Sequence, residues 1–297
     1  MFSDPVLDYA PWSHSKEGVL DHCLLQFHKK HVASEREAPP GTSARVGTAA
    51  HAVLEDVTKD PAADLDTAAA RAAAKVALTT DEVDRLRTFL PSTDRFRAWL
   101  RAFHDRHGVR QTLVEAELGI NRYFAAVPYA VDWKRGLSEI REAVRAGVLP
   151  VVRGKLDLGL ITNDNALIIV DHKSGRPKPF AEYEAQLNAY AVLGAAAYDV
   201  DGVQTAVHHV ETGDMLWSKW IPRETIEASL RPWLAQRLNR HKHRLALLTP
   251  DAPPPPRVGW YCGWCGFVDG CPAGKEEAER RRAEKARRQR GNNDTTL

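Results

Sequence analysis

Asp171 and Lys173 are the residues whose types and spacing most directly suggest chemistry. They end the segment ALIIVDHK, 166–173, whose apolar run is typical of a buried strand. Residues two apart project to the same face of a strand, so Asp171 and Lys173 lie side by side and His172 points away. Buried charges are costly unless they pair or hold a metal ion. A bare Asp-x-Lys is more often a structural ion pair, so the surrounding residues must decide.

Asp157 belongs to the preceding β-rich segment GKLDLGLI, 154–161. The turn-forming residues 162–165 separate the two segments and predict a β-hairpin. A loop with an odd number of residues, such as 162–164, pairs Asp157 with Ile169 and sets it diagonal to Asp171, whereas a two-residue loop turns Asp157 to the other face. We expect the odd loop, which makes the two carboxylates converge.

Two carboxylates and a lysine at the end of a strand suit phosphodiester hydrolysis. Carboxylate oxygens bind hard cations such as magnesium or manganese, which polarise a phosphate and lower the pKa of a bound water. A neighbouring lysine can orient that water or stabilise the charge that develops on phosphorus. The predicted reactive set is Asp157, Asp171 and Lys173.

Helix and strand patterns on both sides of the hairpin supply the elements that hold it in place. Alternating, strand-like segments are predicted from Gln111 onward and at 201–212. Helices are predicted at 43–59, 136–147, 182–197 and 223–248, and residues 61–107 predict two or three amphipathic helices.

Three motifs in chain order, GKLD, VDHKSG and QLNAY, resemble the signature of the PD-(D/E)XK nuclease superfamily, specifically of its RecB-like branch. In that branch a Gly-x-x-Asp strand precedes Asp-x-Lys-Thr-Gly and a helix that carries Gln-x-x-x-Tyr. Ser174 stands where threonine is usual. A spacing of four residues puts the glutamine and the tyrosine on one helix face, directed toward the hairpin. The matching positions are Gly154, Asp157, Asp171, Lys173, Gly175, Gln186 and Tyr190.

The segment GTAAHAVLE, 47–55, resembles an upstream helix of the same branch whose histidine binds the metal ion. The metal ligands that the resemblance implies are His51, Asp157, Asp171 and the main-chain carbonyl of His172. The residues that it implies for positioning water or phosphate are Lys173, Gln186 and Tyr190. We expect Glu117, in the strand before the hairpin, to assist through a water molecule.

The four cysteines of the chain indicate a second metal site. Cys262, Cys265 and Cys271 lie within ten residues, and Cys23 lies 239 residues before the first of them. We expect a soluble, cytoplasmic protein without a membrane partner, because neither a signal-peptide pattern nor a long apolar run is found. Reducing cytosol disfavours disulfides, which makes metal binding the better interpretation. Four thiolates hold either tetrahedral zinc or a four-iron cluster, and spacing does not separate the two.

RecB-like nucleases with iron-sulfur clusters, including the AddB type and the Cas-four type of CRISPR adaptation, are similar in placing one cysteine before the nuclease motifs and three after them. Pro272 behind the last cysteine agrees with that pattern. The resemblance implies a 4Fe-4S cluster on Cys23, Cys262, Cys265 and Cys271, with zinc as the alternative. Because metal binding is coupled to folding, we expect the cluster to join the N-terminal region to the C-terminal one.

The fold that the resemblance implies is α/β, with a central mixed β-sheet flanked by helices, the restriction-endonuclease-like core. We expect one nuclease domain at 1–274, with a helical insertion at 61–110 and a cluster lobe built from 20–32 and 257–274. A charged, disordered tail is expected at 275–297. Residues 275–290, which hold eight basic and four acidic side chains, are expected to form a solvated helix that frays into the disordered end.

Composition places the 297 residues among globular proteins, with 43% hydrophobic and 27% charged residues, and excludes a disordered chain. A net charge of +2 is too small to indicate nucleic-acid binding by itself.

Arg176 and Lys178, just after the Asp-x-Lys strand, are the expected contacts to a DNA backbone. Aromatic residues among the cysteines can stack on single-stranded bases, but packing around the metal is their expected role. They are Trp260, Tyr261, Trp264 and Phe267.

The leading hypothesis is a deoxyribonuclease of DNA repair or recombination, dependent on magnesium or manganese, that degrades DNA exonucleolytically from a single-stranded end. The alternative is a catalytically inactive, nuclease-like subunit that binds DNA or a helicase partner. The complete motif set argues against the alternative, because a purely structural copy has no need for these residues. A third hypothesis, participation in CRISPR adaptation, depends on the genomic neighbours.

Overall fold

The computed structural model describes residues 10–131, 136–249 and 251–294. The chain forms two compact units, a larger one from Gly41–Arg237 and a smaller one from Met1–Pro40 together with Leu238–Leu297. No described helix has the length and apolar composition needed to cross a membrane.

A seven-stranded mixed sheet forms the centre of the larger unit. Its strand order is β2-β1-β3-β4-β5-β6, and β7 pairs with β5. The pair β4–β5 is parallel and the other pairs are antiparallel. The strands are β1 Val109–Ile120, β2 Ala126–Val127, β3 Val152–Thr162, β4 Ala166–Lys173, β5 Gly202–His209, β6 Met215–Trp217 and β7 Ile221–Pro222.

Helices flank this sheet, which confirms the predicted α/β fold with a central mixed sheet. Those of the larger unit are α3 Thr42–Lys59, α4 Leu65–Val76, α5 Thr80–Arg87, α6 Leu90–His107, α7 Leu137–Arg145, α8 Glu184–Ala197 and α9 Arg223–Thr225. A π-helical turn, Ile226–Leu230, follows α9 and leads into α10, Arg231–Leu245. The region predicted as a helical insertion, 61–110, contains α4, α5 and α6.

Both faces of β4 are covered, as its apolar run predicts. Ile168 and Val170 are buried in a cluster that includes Val53 of α3 and Phe96 of α6. On the other side α8 approaches closely at Gly194, where a Cβ atom would lie 2.5 Å from Cδ2 of Leu167. This double burial makes β4 a fixed support for the charged residues at its end.

The β3–β4 hairpin has an odd loop, as expected, but its register differs from the expected one. The loop is 163–165, because Thr162 remains in β3 and its hydroxyl accepts a hydrogen bond from the backbone N–H of Ala166 at 3.1 Å. Leu158 therefore pairs with Val170. Continued by one residue, this register sets Asp157 opposite Asp171, so the expected pairing with Ile169 is wrong. A shift of two residues keeps the same face, and the carboxylates still converge.

The smaller unit consists of short helical elements around its own apolar cluster. This cluster contains Leu20, Phe27, Leu245 and Leu248. The elements are α1 His14–His22, α2 Leu24–Phe27, a π-helical turn His28–Val32, the end of α10, two 3₁₀ turns Trp260–Trp264 and Val268–Gly270, and α11 Pro272–Asp294.

Helix α11 occupies most of the charged segment 275–297, including residues 275–290, where a solvated helix was expected. Side-chain pairs at helical spacing support it: Glu277 binds Arg280 at 2.8 Å and Arg281 at 2.6 Å, and Glu284 binds Arg288 at 2.6 Å. The charged side chains of this segment are thus arranged to favour a helix. Residues 295–297 of the expected tail lie outside the described part of the chain.

Candidate active site

Four polar side chains meet where β4 ends beside α8. Lys173 Nζ lies 2.7 Å from Asp171 Oδ2, and the side-chain amide of Gln186 donates to Asp171 Oδ1 at 2.9 Å. Lys173 Nζ also donates to Gln186 Oε1 at 3.0 Å. The amide of Gln186 lies within 2.8 Å of the hydroxyl oxygen of Tyr190. One helix face thus presents the glutamine and the tyrosine to the buried aspartate, as their spacing predicts.

Two glycines of the motifs are needed for close packing. A Cβ atom at Gly154 of β3 would lie 2.5 Å from Leu193 Cδ1 and 3.1 Å from Tyr190 Cε1, so a larger residue would force side chains of α8 to shift. A Cβ atom at Gly47 of α3 would lie 2.4 Å from the hydroxyl oxygen of Ser174. The residue after Lys173 therefore packs against α3, which brings the histidine-bearing helix to the end of β4.

Asp157 lies between α3 and the end of β4. Its Oδ2 accepts a hydrogen bond from the backbone N–H of His172 at 2.7 Å, and its Oδ1 lies 3.7 Å from His51 Nδ1. Ligand atoms of His51, Glu115 and Asp157 lie within 4.8 Å of one another. The structure thus brings the predicted His51 and Asp157 together and adds Glu115, while the nearby Asp171 is held by Lys173 and Gln186.

Glu115, rather than the expected Glu117, is the acidic residue of β1 that joins this trio. Both project to the same face of an ideal strand, so alternation does not separate them. The pairing of β1 with β3 separates the two glutamates. Glu117 pairs with Lys155, whereas Glu115 lies opposite Asp157, between the pairs Val114–Leu158 and Ala116–Leu156. Glu115 has a φ of 52°, in the left-handed region, and its Oε2 lies 2.5 Å from Lys155 Nζ.

The two aspartates carry negative charge that the protein compensates only in part. Burial and the charge of Asp171 together raise the pKa of Asp157 to about 6, although His51 acts in the opposite direction. Burial also raises the pKa of Asp171, which is 2% exposed, although the ammonium of Lys173 acts in the opposite direction. Carboxylates that are destabilised in this way fit a divalent cation, whose charge would favour their ionised form.

The side chain of His172 points away from the carboxylates, as alternation along β4 predicts. Its Nδ1 lies 3.0 Å from Nδ1 of His208 on β5, and its ring packs edge-on against Phe96 at 4.9 Å between centroids. Burial and the neighbouring His208 hold the pKa of His172 well below its ordinary value. A neutral, fixed ring of this kind anchors the main chain between Asp171 and Lys173.

A surface cavity of about 530 Å³ opens at the trio. His51, Glu115 and Asp157 line it, together with Lys75 and Lys155. Two lysines beside a cluster of carboxylates suit a ligand that carries both a phosphate and a bound cation.

Comparison with known protein families agrees with this geometry. Residues 11–272 match the PD-(D/E)XK nuclease superfamily, which is most of the chain and includes all of the motifs described above. The chain belongs to the PD-(D/E)XK nuclease superfamily. Superfamily membership supports a nuclease-type, hydrolytic function, and nucleases of this superfamily use divalent metal ions.

Other comparisons add little to this assignment. No curated protein matches the chain. Among solved structures, the crystal structure of SSO0001 is similar at 17% identity, over 88% of this chain and 98% of that protein, with a TM-score of 0.32. A likeness at this level carries no weight for function.

The smaller unit of this PD-(D/E)XK superfamily member brings its four cysteines to one cavity. Cys23 and Cys262 are buried, Cys265 and Cys271 are half-buried, and none of the four forms a disulfide. The backbone N–H of Gly259 donates to Cys262 Sγ at 3.4 Å. A Cβ atom at Gly274 would lie 3.2 Å from Cys271 Sγ and 3.8 Å from Cys262 Sγ, so glycine leaves space beside the sulfurs.

The electrostatics of this cavity suit a cation. Burial raises the pKa of Cys265, and the neighbouring thiols of Cys23, Cys262 and Cys271 raise it further. A bound metal cation would instead favour the ionised form of the Cys265 thiol. Within the described chain, His51, Glu115 and Asp157 are the one group of three or more candidate ligands within 4.8 Å of one another, so no three cysteine sulfurs are that close.

Proposed function

We propose that the chain is a deoxyribonuclease that depends on magnesium or manganese and degrades DNA exonucleolytically from single-stranded ends. The observation that carries this proposal is the convergence of Asp157 and Asp171 at the end of β4, beside Lys173. Preference for a single-stranded end is supported by the resemblance to the RecB-like branch. The reaction is the addition of a water oxygen to phosphorus with departure of a sugar oxygen.

The proposed metal ligands are the side chains of His51, Asp157 and Asp171 and the main-chain carbonyl of His172, with Glu115 beside them. When bound, the divalent ion would polarise the phosphate and lower the pKa of a water ligand. The protein contributes position: the backbone N–H of His172 fixes one oxygen of Asp157. Gln186 fixes one oxygen of Asp171.

Lys173 is proposed to donate a hydrogen bond to the attacking water or to a phosphate oxygen. Its ammonium is held by Asp171 at 2.7 Å and by Gln186 at 3.0 Å, and its side chain remains partly exposed. It is therefore placed without needing a substrate to order it, which lowers the entropic cost of reaching the reactive geometry. Tyr190 supports the same arrangement through its contact with the Gln186 amide.

We propose further that the four cysteines hold a 4Fe-4S cluster, as in the RecB-like nucleases of the AddB and Cas-four types. Tetrahedral zinc, with bonds of about 2.3 Å, requires sulfurs roughly 3.8 Å apart. An iron-sulfur cluster binds each thiolate to a different iron atom and holds the sulfurs farther apart. The absence of any cysteine trio within 4.8 Å, among the described residues, supports the larger group.

A cleavage assay tests the nuclease proposal. End-labelled single- and double-stranded DNA is incubated with the protein and magnesium, manganese or a chelator. We expect stepwise shortening of single strands with either metal and none with the chelator. Lys173→Ala should abolish cleavage, whereas Lys219→Ala, which removes an exposed lysine of the same unit, should not. Retention of cleavage by Lys173→Ala would contradict the assignment, and DNA binding without cleavage by the unaltered protein would favour a binding subunit.

The cluster proposal has a separate test. Protein purified without oxygen should be brown and contain about four iron atoms per chain. Colourless protein with one equivalent of zinc would overturn the iron-sulfur assignment and leave the nuclease proposal intact.

A further inference from the structure

Two tryptophans of the 3₁₀ turn Trp260–Trp264 lie at the surface of the smaller unit. Trp264 is 78% exposed and Trp260 is 52% exposed. Their ring centroids are 5.7 Å apart, with the ring planes inclined by 70°. Packing around the cysteines, the role expected of the aromatic residues in this segment, is confirmed for Phe267, which is 7% exposed and lines the cysteine cavity. It is wrong for Trp264.

Tyr261, in the same turn, shows the contrast between a packed and an open aromatic ring. Its ring stacks on His22 at 4.9 Å with an interplanar angle of 11°, and its hydroxyl donates to the carbonyl oxygen of Arg257 at 2.9 Å. It also lines the cysteine cavity. Trp264 lines no part of that cavity and leaves most of its ring to solvent. Adjacent exposed tryptophans are typical of binding surfaces, because leaving so much apolar area in water does not stabilise the fold of the chain itself.

The helix that packs against this turn is strongly basic. Helix α11 contacts the turn Trp260–Trp264, and its residues 275–290 hold eight basic and four acidic side chains. The acidic residues Glu277 and Glu284 are engaged by arginines of the same helix. Arg282, Lys285 and Arg287 are exposed. The surplus positive charge of the helix that contacts the turn favours a polyanion over an apolar protein surface as the ligand.

We propose that Trp260, Trp264 and the basic side chains of α11 form a binding surface for single-stranded DNA. Bases stack on the tryptophan rings, and phosphates contact the arginine and lysine side chains. This combination of aromatic rings and cations is how proteins hold single strands without reading their sequence. The inference rests on the proposed function for the identity of the ligand. It assigns the contact to residues other than the proposed metal ligands and Lys173.

Binding is measured apart from cleavage, in the full chain with Lys173→Ala as the background, by fluorescence anisotropy of a labelled oligothymidylate of about 15 nucleotides. We expect Trp264→Ala to weaken binding roughly 5- to 100-fold, as the loss of one stacked base predicts. Trp264→Phe should retain most of the affinity, because phenylalanine still stacks. Trp264→Leu should bind as weakly as the alanine variant. Tyr123→Ala, at an aromatic residue of the larger unit that is 65% exposed, is the matched control and should bind normally.

A second variant tests the cationic part of the surface. Replacing Arg282, Lys285 and Arg287 together by alanine should lower the affinity and flatten its dependence on salt concentration. The log–log slope should fall by about 0.7 for each phosphate that the variant no longer neutralises.

Two results would overturn the inference. Equal affinity of Trp264→Ala and its parent would exclude stacking at this residue, and full affinity of Trp264→Leu would point to an apolar docking surface for a partner protein. Failure of the proposed nuclease function would be distinguishable from these results. A protein that does not cleave DNA can still bind oligothymidylate and lose that binding when Trp264 is replaced.

Discussion

The side-chain amide of Gln186 donates to Asp171 Oδ1 at 2.9 Å and thereby joins helix α8 to the end of strand β4. The same glutamine accepts from Lys173 through its carbonyl oxygen. It therefore orients both members of the Asp-x-Lys motif, and its own position is set by the close packing of α8 on β3.

Gln186→Ala is expected to lower kcat for DNA cleavage on the order of 100-fold, because Asp171 and Lys173 lose the group that aligns them. Tyr190→Phe keeps the ring next to Gly154 and removes only the hydroxyl, so its kcat should stay within about 10-fold of the unaltered protein. The measurement is kcat on end-labelled single strands, determined under steady-state conditions. Equal losses in the two variants would contradict a specific role of the glutamine amide.

Glu115→Gln is expected to weaken manganese binding by about 10-fold or more, because it removes a carboxylate within 4.8 Å of the ligand atoms of His51 and Asp157. Glu117→Gln is the matched control two residues along the same strand, opposite Lys155, and should bind manganese normally. Isothermal titration of the metal distinguishes the two. Weaker manganese binding by Glu117→Gln than by Glu115→Gln would contradict the role of Glu115 and support Glu117, as the sequence alone suggests.

Gly154→Ala is expected to destabilise the protein by about 1–3 kcal/mol, because the added methyl group would lie 2.5 Å from Leu193 Cδ1. Gly18→Ala is a suitable control, since no atom lies within 4 Å of a Cβ built there and alanine favours the helix that contains it. Chemical unfolding monitored by circular dichroism gives both values. An unchanged free energy of unfolding for Gly154→Ala would show that α8 does not pack on β3 as described.

The stability of the protein is expected to fall between pH 6.5 and about 4 because of His241. Burial lowers the pKa of this histidine to about 4, and its Nε2 hydrogen bonds the carbonyl oxygen of Ala10 at 3.0 Å. Below pH 6.5 the histidine binds a proton in the unfolded chain but not in the folded chain. The free energy of unfolding therefore decreases as the pH drops from 6.5 toward 4, and His241 does not change it above pH 6.5. The loss amounts to at most about 3 kcal/mol.

Urea unfolding at several pH values measures this effect, with His241→Gln as the comparison. The glutamine cannot titrate, so its stability should depend less on pH across this window. Identical pH dependence in the two proteins would show that His241 is not the group responsible.

Much of the site could be predicted from sequence because its residues obey short local periods. The period of two in β4 places Asp171 and Lys173 on one face of the strand. The spacing of four in α8 places Gln186 and Tyr190 on one face of the helix. The α/β fold with a central mixed sheet was implied by the family resemblance that these motifs carry.

What the sequence did not reveal depends on contacts between distant segments. Glu115 and Glu117 share a face, and only the pairing of β1 with β3 selects the first. Thr162 was expected in the hairpin loop, but its burial and its hydrogen bonds to Ala166 keep it in β3 and move the register by two residues. The exposure of Trp264 is likewise a property of the folded unit, since its position among the cysteines made packing around the metal the better expectation.

Manganese binding by the unaltered protein and by Asp157→Asn, measured by isothermal titration, tests the central claim most directly. We expect the unaltered protein to bind one or more manganese ions and to release protons on binding near pH 6, because burial holds the pKa of Asp157 at about 6. Asp157→Asn should lose this binding while unfolding at a similar temperature. Equal manganese affinity in the two proteins would contradict the claim that the paired carboxylates form a metal site.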